Sequence, residues 1–287
     1  LYQEFKWNVE NNYADKVDVT YVESDNDITK QIANIEDLIA QGVDVIITTP
    51  CDTTALNSTL QEAMDEGIKV ILLAATIDGD EYDSLITVDE TDFGATGAKW
   101  LAEQLGGEGK IVMLEGIEGV STNTLRQEGA MSVFEEYPDI EIIAVEAAGW
   151  DYATAKTVMA DLLATYPEID GVWSQGGAMT LGAVEAFQAA GRDLVPMTGE
   201  DNNGYLKVCV ENDMEGIAVA KPTWLTRVAF DTALDLMDGK EVEKDNIYPV
   251  ETMAGLDEMK EAYFPDLSDD VWCGTELPED VLQEVFQ

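Results

Sequence analysis

Short apolar runs rich in Val and Ile alternate along this chain with stretches whose apolar positions recur at helical spacing. The first run, over 17–22, reads as a strand, and Ile28, Ile32, Ile35, Leu38 and Ile39 then form one helical face. The alternation continues with a strand over 43–48, a helix over 53–66, a strand over 68–73 and a short strand over 85–88. A second series opens with a helix over 92–105, carrying Phe93, Gly97, Trp100 and Leu101 on one side, then a glycine-rich turn and a strand over 110–114. It proceeds through a helix over 121–137, a strand over 140–145, a helix over 152–166, a strand over 171–174, a helix over 178–190, and strands over 194–197 and 217–220. Near-continuous apolar strands of this kind belong to parallel sheets covered by helices on both faces. After Pro222 the pattern predicts one more amphipathic helix and a strand over 247–251 that returns to the first domain. From about residue 264 the chain reads as a tail anchored by Trp272, Leu277, Val281, Leu282 and Phe286, expected to lie across the second domain.

The chain has 287 residues, 46% of them hydrophobic, enough apolar material for two α/β domains. No apolar run reaches the ~18 residues that a membrane-spanning helix needs. Lys and Arg total 15 against 59 Asp and Glu, a formal charge of −44. Such a field repels phosphate backbones, so nucleic acid is not an expected partner. The acidic residues are spread over the chain, as on a solubilising surface.

The sequence contains no histidine, which removes Ser-His and Cys-His mechanisms and the commonest transition-metal ligand. Three scattered cysteines, Cys51, Cys209 and Cys273, make neither a zinc site nor a disulfide framework; one bridge, Cys209 to Cys273, is the expected pairing. Phosphate cradles are lacking too. Gly116-Ile117-Glu118-Gly119 follows a strand and precedes a helix, yet it lacks a third glycine, and Glu115 and Glu118 would repel a pyrophosphate. Asp25-Asn26-Asp27 and the acidic stretch 78–83 lack the spacing of a calcium loop.

What remains is a set of polar and aromatic residues just beyond strand ends. Arg126 stands early in a helix, where its guanidinium can fork onto adjacent hydroxyls or form a surface ion pair with Glu128. Trp150 directly precedes the helix cap Asp151 and offers either a flat face for a sugar ring or a core side chain. Asp201, in the polar stretch 197–204, suits paired ligand hydroxyls, while turn formation accounts for its neighbours Asn202, Asn203 and Gly204. Lys221 lies between an apolar strand and Pro222, at a domain crossing or on the surface.

Several segments together resemble the type I periplasmic sugar-binding proteins, the ribose-binding-protein-like receptors of ABC importers. They are 31–44, Thr49-Pro50-Cys51-Asp52-Thr53, Arg126-Gln127-Glu128-Gly129-Ala130, 178–183 and Thr198-Gly199-Glu200-Asp201. The resemblance runs from about residue 1 to about residue 255. It implies an α/β architecture of two doubly wound parallel-sheet lobes joined by a multi-strand hinge, with residues 1–88 and 222–251 in the N-terminal lobe and 89–221 and 252–287 in the C-terminal lobe. It implies a sugar or polyol held by Arg126, Trp150, Asp201 and Lys221, with Gln175, Thr76 and Asp89 also at the site, and no cofactor, metal or catalysis. It further implies a monomer outside the cytoplasm, in the periplasm or lipid-anchored at the cell surface, that serves a membrane permease.

Three positions depart from the pattern. Ala74-Ala75-Thr76 replaces an Asp-Arg pair, Gln175-Gly176-Gly177 replaces Gln-Asn-Asp, and Lys221 replaces a glutamine. A lysine with extra room suggests a larger, more flexible or anionic ligand. Leu1 is expected to lie already in the helix that follows the family's first strand, which implies upstream residues and a secretion signal. Three other functions fit the same core, one of them a chemoreceptor-coupled sensor that differs only in its partner. A transcription regulator would need a basic DNA-binding segment, and a sugar-modifying enzyme would need cleft carboxylates such as Glu115, Glu118 and Asp201.

Overall fold

The computed structural model describes residues 2–14 and 16–286, so the expected place of Leu1 lies outside the described residues. Helix α1 (Tyr2–Asn8) runs into a π-helical turn at Val9–Tyr13. Residues 17–22 do not form the expected strand. Their side chains alternate between half-buried and exposed as a strand's would, but a strand exists only as part of a hydrogen-bonded ladder. Among the described residues no strand pairs with this segment; its Tyr21 ring packs edge-on against Tyr2 and Phe5.

Helix α2 (Ile28–Gln41) is capped by Asp27, whose carboxylate accepts from the N–H groups of Thr29 and Lys30, and ends at Gly42 in the left-handed region. Strand β1 (Val45–Thr48) follows. Helix α3 (Asn57–Asp65) starts four residues later than expected, because the Asp52 carboxylate takes the N–H groups of Thr54 and Ala55 into a local turn. Then come β2 (Lys69–Leu73), β3 (Ser84–Val88), α4 (Glu90–Gln104), β4 (Glu108–Glu115), α5 (Ser121–Phe134), β5 (Asp139–Ala147), α6 (Tyr152–Thr165), β6 (Gly171–Ser174) and α7 (Gly177–Ala189).

Strand β7 (Met197–Glu200) is displaced from the expected 194–197. Pro196 has no N–H to give a ladder, so pairing starts at Met197 and carries the polar Thr198-Gly199-Glu200 into the sheet. Helix α8 (Asn203–Asn212) was not anticipated at all, since its Asn-Gly start reads as a turn. Strand β8 (Gly216–Ala220) and helix α9 (Leu225–Met237) follow. The single strand expected over 247–251 is divided at Pro249 into β9 (Asp245–Tyr248) and β10 (Glu251–Ala254), which join different sheets. Helices α10 (Gly255–Ala262) and α11 (Glu279–Val285) complete the described chain.

Two compact units result. The first comprises Leu1–Val88, Gly119–Thr122 and Thr223–Tyr248, around an all-parallel sheet in the order β1-β2-β3-β9. Leu56, Leu60, Val70 and Leu72 are fully buried at its core. The second comprises Asp89–Glu118, Asn123–Pro222 and Pro249–Gln287, around a sheet in the order β10-β8-β7-β6-β4-β5. All of its pairings are parallel except β10 against β8, which makes β10 an antiparallel edge in an otherwise parallel sheet. In β4, Val112 and Leu114 enter one core with Met159, Phe187 and Tyr205, while Ile111 and Met113 enter another with Leu101, Phe134 and Trp173. Both faces are therefore covered, as the alternation of side chains along a strand requires. The three cysteines are unpaired thiols, so the expected Cys209–Cys273 bridge is not formed. Cys209 is buried in the second unit's core, and the Cys273 sulfur lies 3.8 Å from Asn203 Oδ1.

Candidate functional site

In doubly wound folds ligands bind at the carboxyl ends of the parallel strands. In the second unit these ends carry Glu115 as the last residue of β4, Gln175 just after β6, and Glu200 and Asp201 at the end of β7 and just beyond it. Helix α5 brings Arg126 among them through an unusually close helix contact. A Cβ on Gly94 of α4 would overlap the Arg126 carbonyl, and one on Gly129 of α5 would overlap the Thr91 carbonyl. Glycine at both positions lets the two backbones touch.

That approach sets Arg126 against α4. Its guanidinium is 1% exposed and lies 3.5 Å over the Phe93 ring. Nε donates to Glu90 Oε2 at 2.7 Å, and Nη1 donates to the Gln175 carbonyl at 2.6 Å and reaches Glu200 Oε1 at 2.7 Å. The surface pairing with Glu128 weighed from sequence is thus replaced by two buried ion pairs. Lys221, also buried, pairs with the other oxygen of Glu90. The ammonium that suggested an anionic ligand is therefore matched within the unit.

Burial pushes the Glu90 carboxyl upward, but Arg126 and Lys221 outweigh it and hold Glu90 below the usual carboxylate range. Burial prevails at Glu200, which is raised despite Arg126 and Lys221, and at Lys221, which is lowered despite Glu90. Asp201 is fully buried and pushed up to about 6, by desolvation first and by the charge of Glu200, against the pull of the Gly274 N–H.

Trp150 completes the arrangement. It follows Gly149, and both residues have positive φ, 63° and 55°. For a bulky aromatic residue that backbone is strained, and such strain concentrates at binding sites. The indole lies over two glycines: a Cβ on Gly116 would overlap its ring, and one on Gly176 would stand 2.8 Å from its Cδ1. Half-buried, it also packs against the core of the second unit, as a core tryptophan would.

Several buried polar atoms around this cluster have no hydrogen-bond partner: Arg126 Nη2, Gln175 Oε1, Asp201 Oδ1 and Glu115 Oε1. Their residues are otherwise engaged. Gln175 Nε2 donates to the Asn123 carbonyl at 3.1 Å, and Asp201 Oδ2 accepts from the Gly274 N–H at 2.5 Å. Orphaned buried polar atoms are rare in native proteins and call for an explanation.

Of the seven residues named from sequence, Arg126, Trp150, Gln175, Asp201 and Lys221 gather in the second unit. Thr76 belongs to the first unit, where its N–H donates to Ser121 Oγ at 2.9 Å. Asp89 does not enter the cluster; it is exposed and caps α4, its carboxylate accepting from the Asp92 N–H. The carboxylate that does enter is its neighbour Glu90. Sequence reading passed over Glu90, although Glu90, Phe93, Gly94 and Gly97 share one helical face directly after a fully buried strand. Glu200 was read as part of a loop, and Gly274 carried no sequence signal.

Residues 2–241 match the family described as periplasmic binding protein domain. The chain is 28% identical over 226 residues to the ribose import binding protein of Bacillus subtilis, covering 79% of this chain and 73% of that protein. It is 30% identical over 237 residues to the xylitol-binding protein of Mycolicibacterium smegmatis, covering 82% and 68%. Among solved structures, an ABC transporter solute-binding protein from Bacillus halodurans with bound myo-inositol superposes with a TM-score of 0.84 at 26% identity, covering 90% of each chain.

Proposed function

The chain belongs to the periplasmic binding proteins, with their type I fold, and on that premise we propose that it captures one uncharged sugar or polyol for the permease of an ABC importer. The observation that carries this reading is the set of orphaned atoms at the strand ends, Arg126 Nη2, Gln175 Oε1 and Asp201 Oδ1. Each buried polar atom without a partner costs about 1–3 kcal/mol. A polyhydroxylated ligand meets both kinds of need, because every hydroxyl donates one hydrogen bond and accepts others. Trp150 adds an apolar plate for the C–H face of a ring or carbon chain.

Charge supports the uncharged class. The cations Arg126 and Lys221 are both committed to buried carboxylates, so neither is left over to attract an anion. The named ligands of the relatives, ribose and xylitol, and the myo-inositol of the structural neighbour are likewise uncharged polyols. The role is capture without catalysis: with no histidine in the chain, the commonest general base is missing. The site of action is outside the cytoplasm, as for the receptors it resembles, and the protein acts as a monomer.

Calorimetric titration with ribose, xylitol, myo-inositol, hexoses, sugar acids and amino sugars tests this. The expected result is one or a few uncharged polyols binding at a single site and raising the melting temperature through linkage. Preferential binding of a sugar acid would overturn the charge argument, and turnover of the bound sugar would overturn the receptor reading.

A further inference from the structure

Beyond α10 the chain folds back over the head of α8. Asn203, fully buried, is the hub of this strap. Its Nδ2 donates to the carbonyls of Phe264 at 2.9 Å and Ser268 at 3.0 Å, and its Oδ1 accepts from the Phe264 N–H at 2.8 Å. The Asn203 N–H donates to the Val271 carbonyl at 2.7 Å, and Asn202 and Trp272 form an antiparallel bridge. Leu267 and Val271 are buried beneath these bonds. The strap therefore has one register.

That register delivers two consecutive amides to Asp201. The Cys273 N–H donates to the Asp201 carbonyl at 2.8 Å, and the Gly274 N–H donates to its Oδ2 at 2.5 Å. Position 274 has no room for a side chain: a Cβ there would lie 2.7 Å from Asp201 Oδ2 and 3.5 Å from Pro222 Cα. With Oδ2 held, Oδ1 is the oxygen left without a partner.

We infer that the strap over residues 264–274 is a working part of the ligand site, and that Gly274 is a positioning residue whose amide fixes the Asp201 carboxylate with Oδ1 free to accept a ligand hydroxyl. The inference rests on the receptor reading above. It assigns a binding role to a segment beyond residue 241, where the family match ends. Two properties make the amide suitable. A hydrogen bond from a backbone N–H to a carboxylate is charge-assisted and short, so it orients the group strongly. Because the amide belongs to a strap tied down by Asn203, little rotational freedom is lost when a ligand arrives.

The test uses the full chain and reads Asp201 directly. Carbon-13 NMR titration of the Asp201 carboxyl is compared in the native protein and in Gly274→Ala, alongside calorimetry with ribose, xylitol and myo-inositol. Loss of the amide's hold is expected to move the Asp201 titration upward and to weaken whichever polyol the native protein binds by ~10-fold. The native Gly274 amide is expected to resist hydrogen exchange, more strongly above the Asp201 titration than below it. An unprotected Gly274 amide, or an Asp201 titration indifferent to Gly274→Ala, overturns the strap's role. A shifted titration in a protein that binds none of the polyols would support the hold on Asp201 while removing the receptor reading.

Discussion

Arg126 and Trp150 sit in one cluster, yet substitution should separate their roles. Arg126→Ala strips Glu90 and Glu200 of their shared cation inside the protein. Breaking a buried ion pair from one side costs about 3–5 kcal/mol, so this variant should be severely destabilised in urea titrations, and its loss of binding would say little about contact with the ligand. Trp150→Ala instead removes a half-buried plate. It should remain folded by circular dichroism while polyol affinity falls ~10-fold or more. Asp201 links stability to pH. Its pKa, about 6 in the folded protein, lies above the unfolded carboxylate value, so the folded state binds more protons between the two. Stability from this group is therefore fully present below about pH 4 and is lost as pH rises through about 6. Asp201→Asn should raise the melting temperature more at pH 7.5 than at pH 5 and lower polyol affinity at pH 7.5. At this scale Arg126 stood out in the sequence as one of only 15 basic residues, but its partners did not, because a carboxylate among 59 carries no mark of burial.

Between elements, glycines decide what the side chains can reach. Gly94 and Gly129 allow α4 and α5 to meet backbone to backbone, and that contact brings Arg126 to Glu90. Gly129→Ala should force the helices apart at a cost of about 1–3 kcal/mol, measurable as a lowered urea midpoint. Gly116→Ala should act on binding, since its Cβ would occupy the space of the Trp150 ring. A changed tryptophan emission spectrum together with lost polyol affinity would report the displaced indole. Strand β6, with an uninterrupted apolar pattern, has the bounds read from sequence. β7 was not, because it carries Thr198, Gly199 and Glu200 in a fully buried strand. Residues 17–22 were read as a strand from their apolar positions, but such a pattern says nothing about whether a neighbouring strand is there to pair with.

For the molecule as a whole, a formal charge of −44 means that folding concentrates like charge. Raising salt from ~10 mM to ~1 M contracts the screening length from ~30 Å to ~3 Å, so the urea midpoint should rise with sodium chloride. A midpoint that stays level would mean that local ion pairs already offset the repulsion. The same charge speaks against DNA as a partner and was plain from composition. The sequence by itself determined the α/β class, the alternation of strands and helices and the family, because these depend on periodicities and short motifs that neighbouring residues carry. Only the tertiary structure decided the site's chemistry. Arg126, Glu90, Glu200 and Lys221 are far apart in the chain, and whether their charges cancel depends on distances of a few ångströms in a low-dielectric interior. It also decided that Gly274, in a tail beyond residue 241, donates to Asp201, since a backbone amide is the same in every residue but proline and acquires a role only from where the fold puts it.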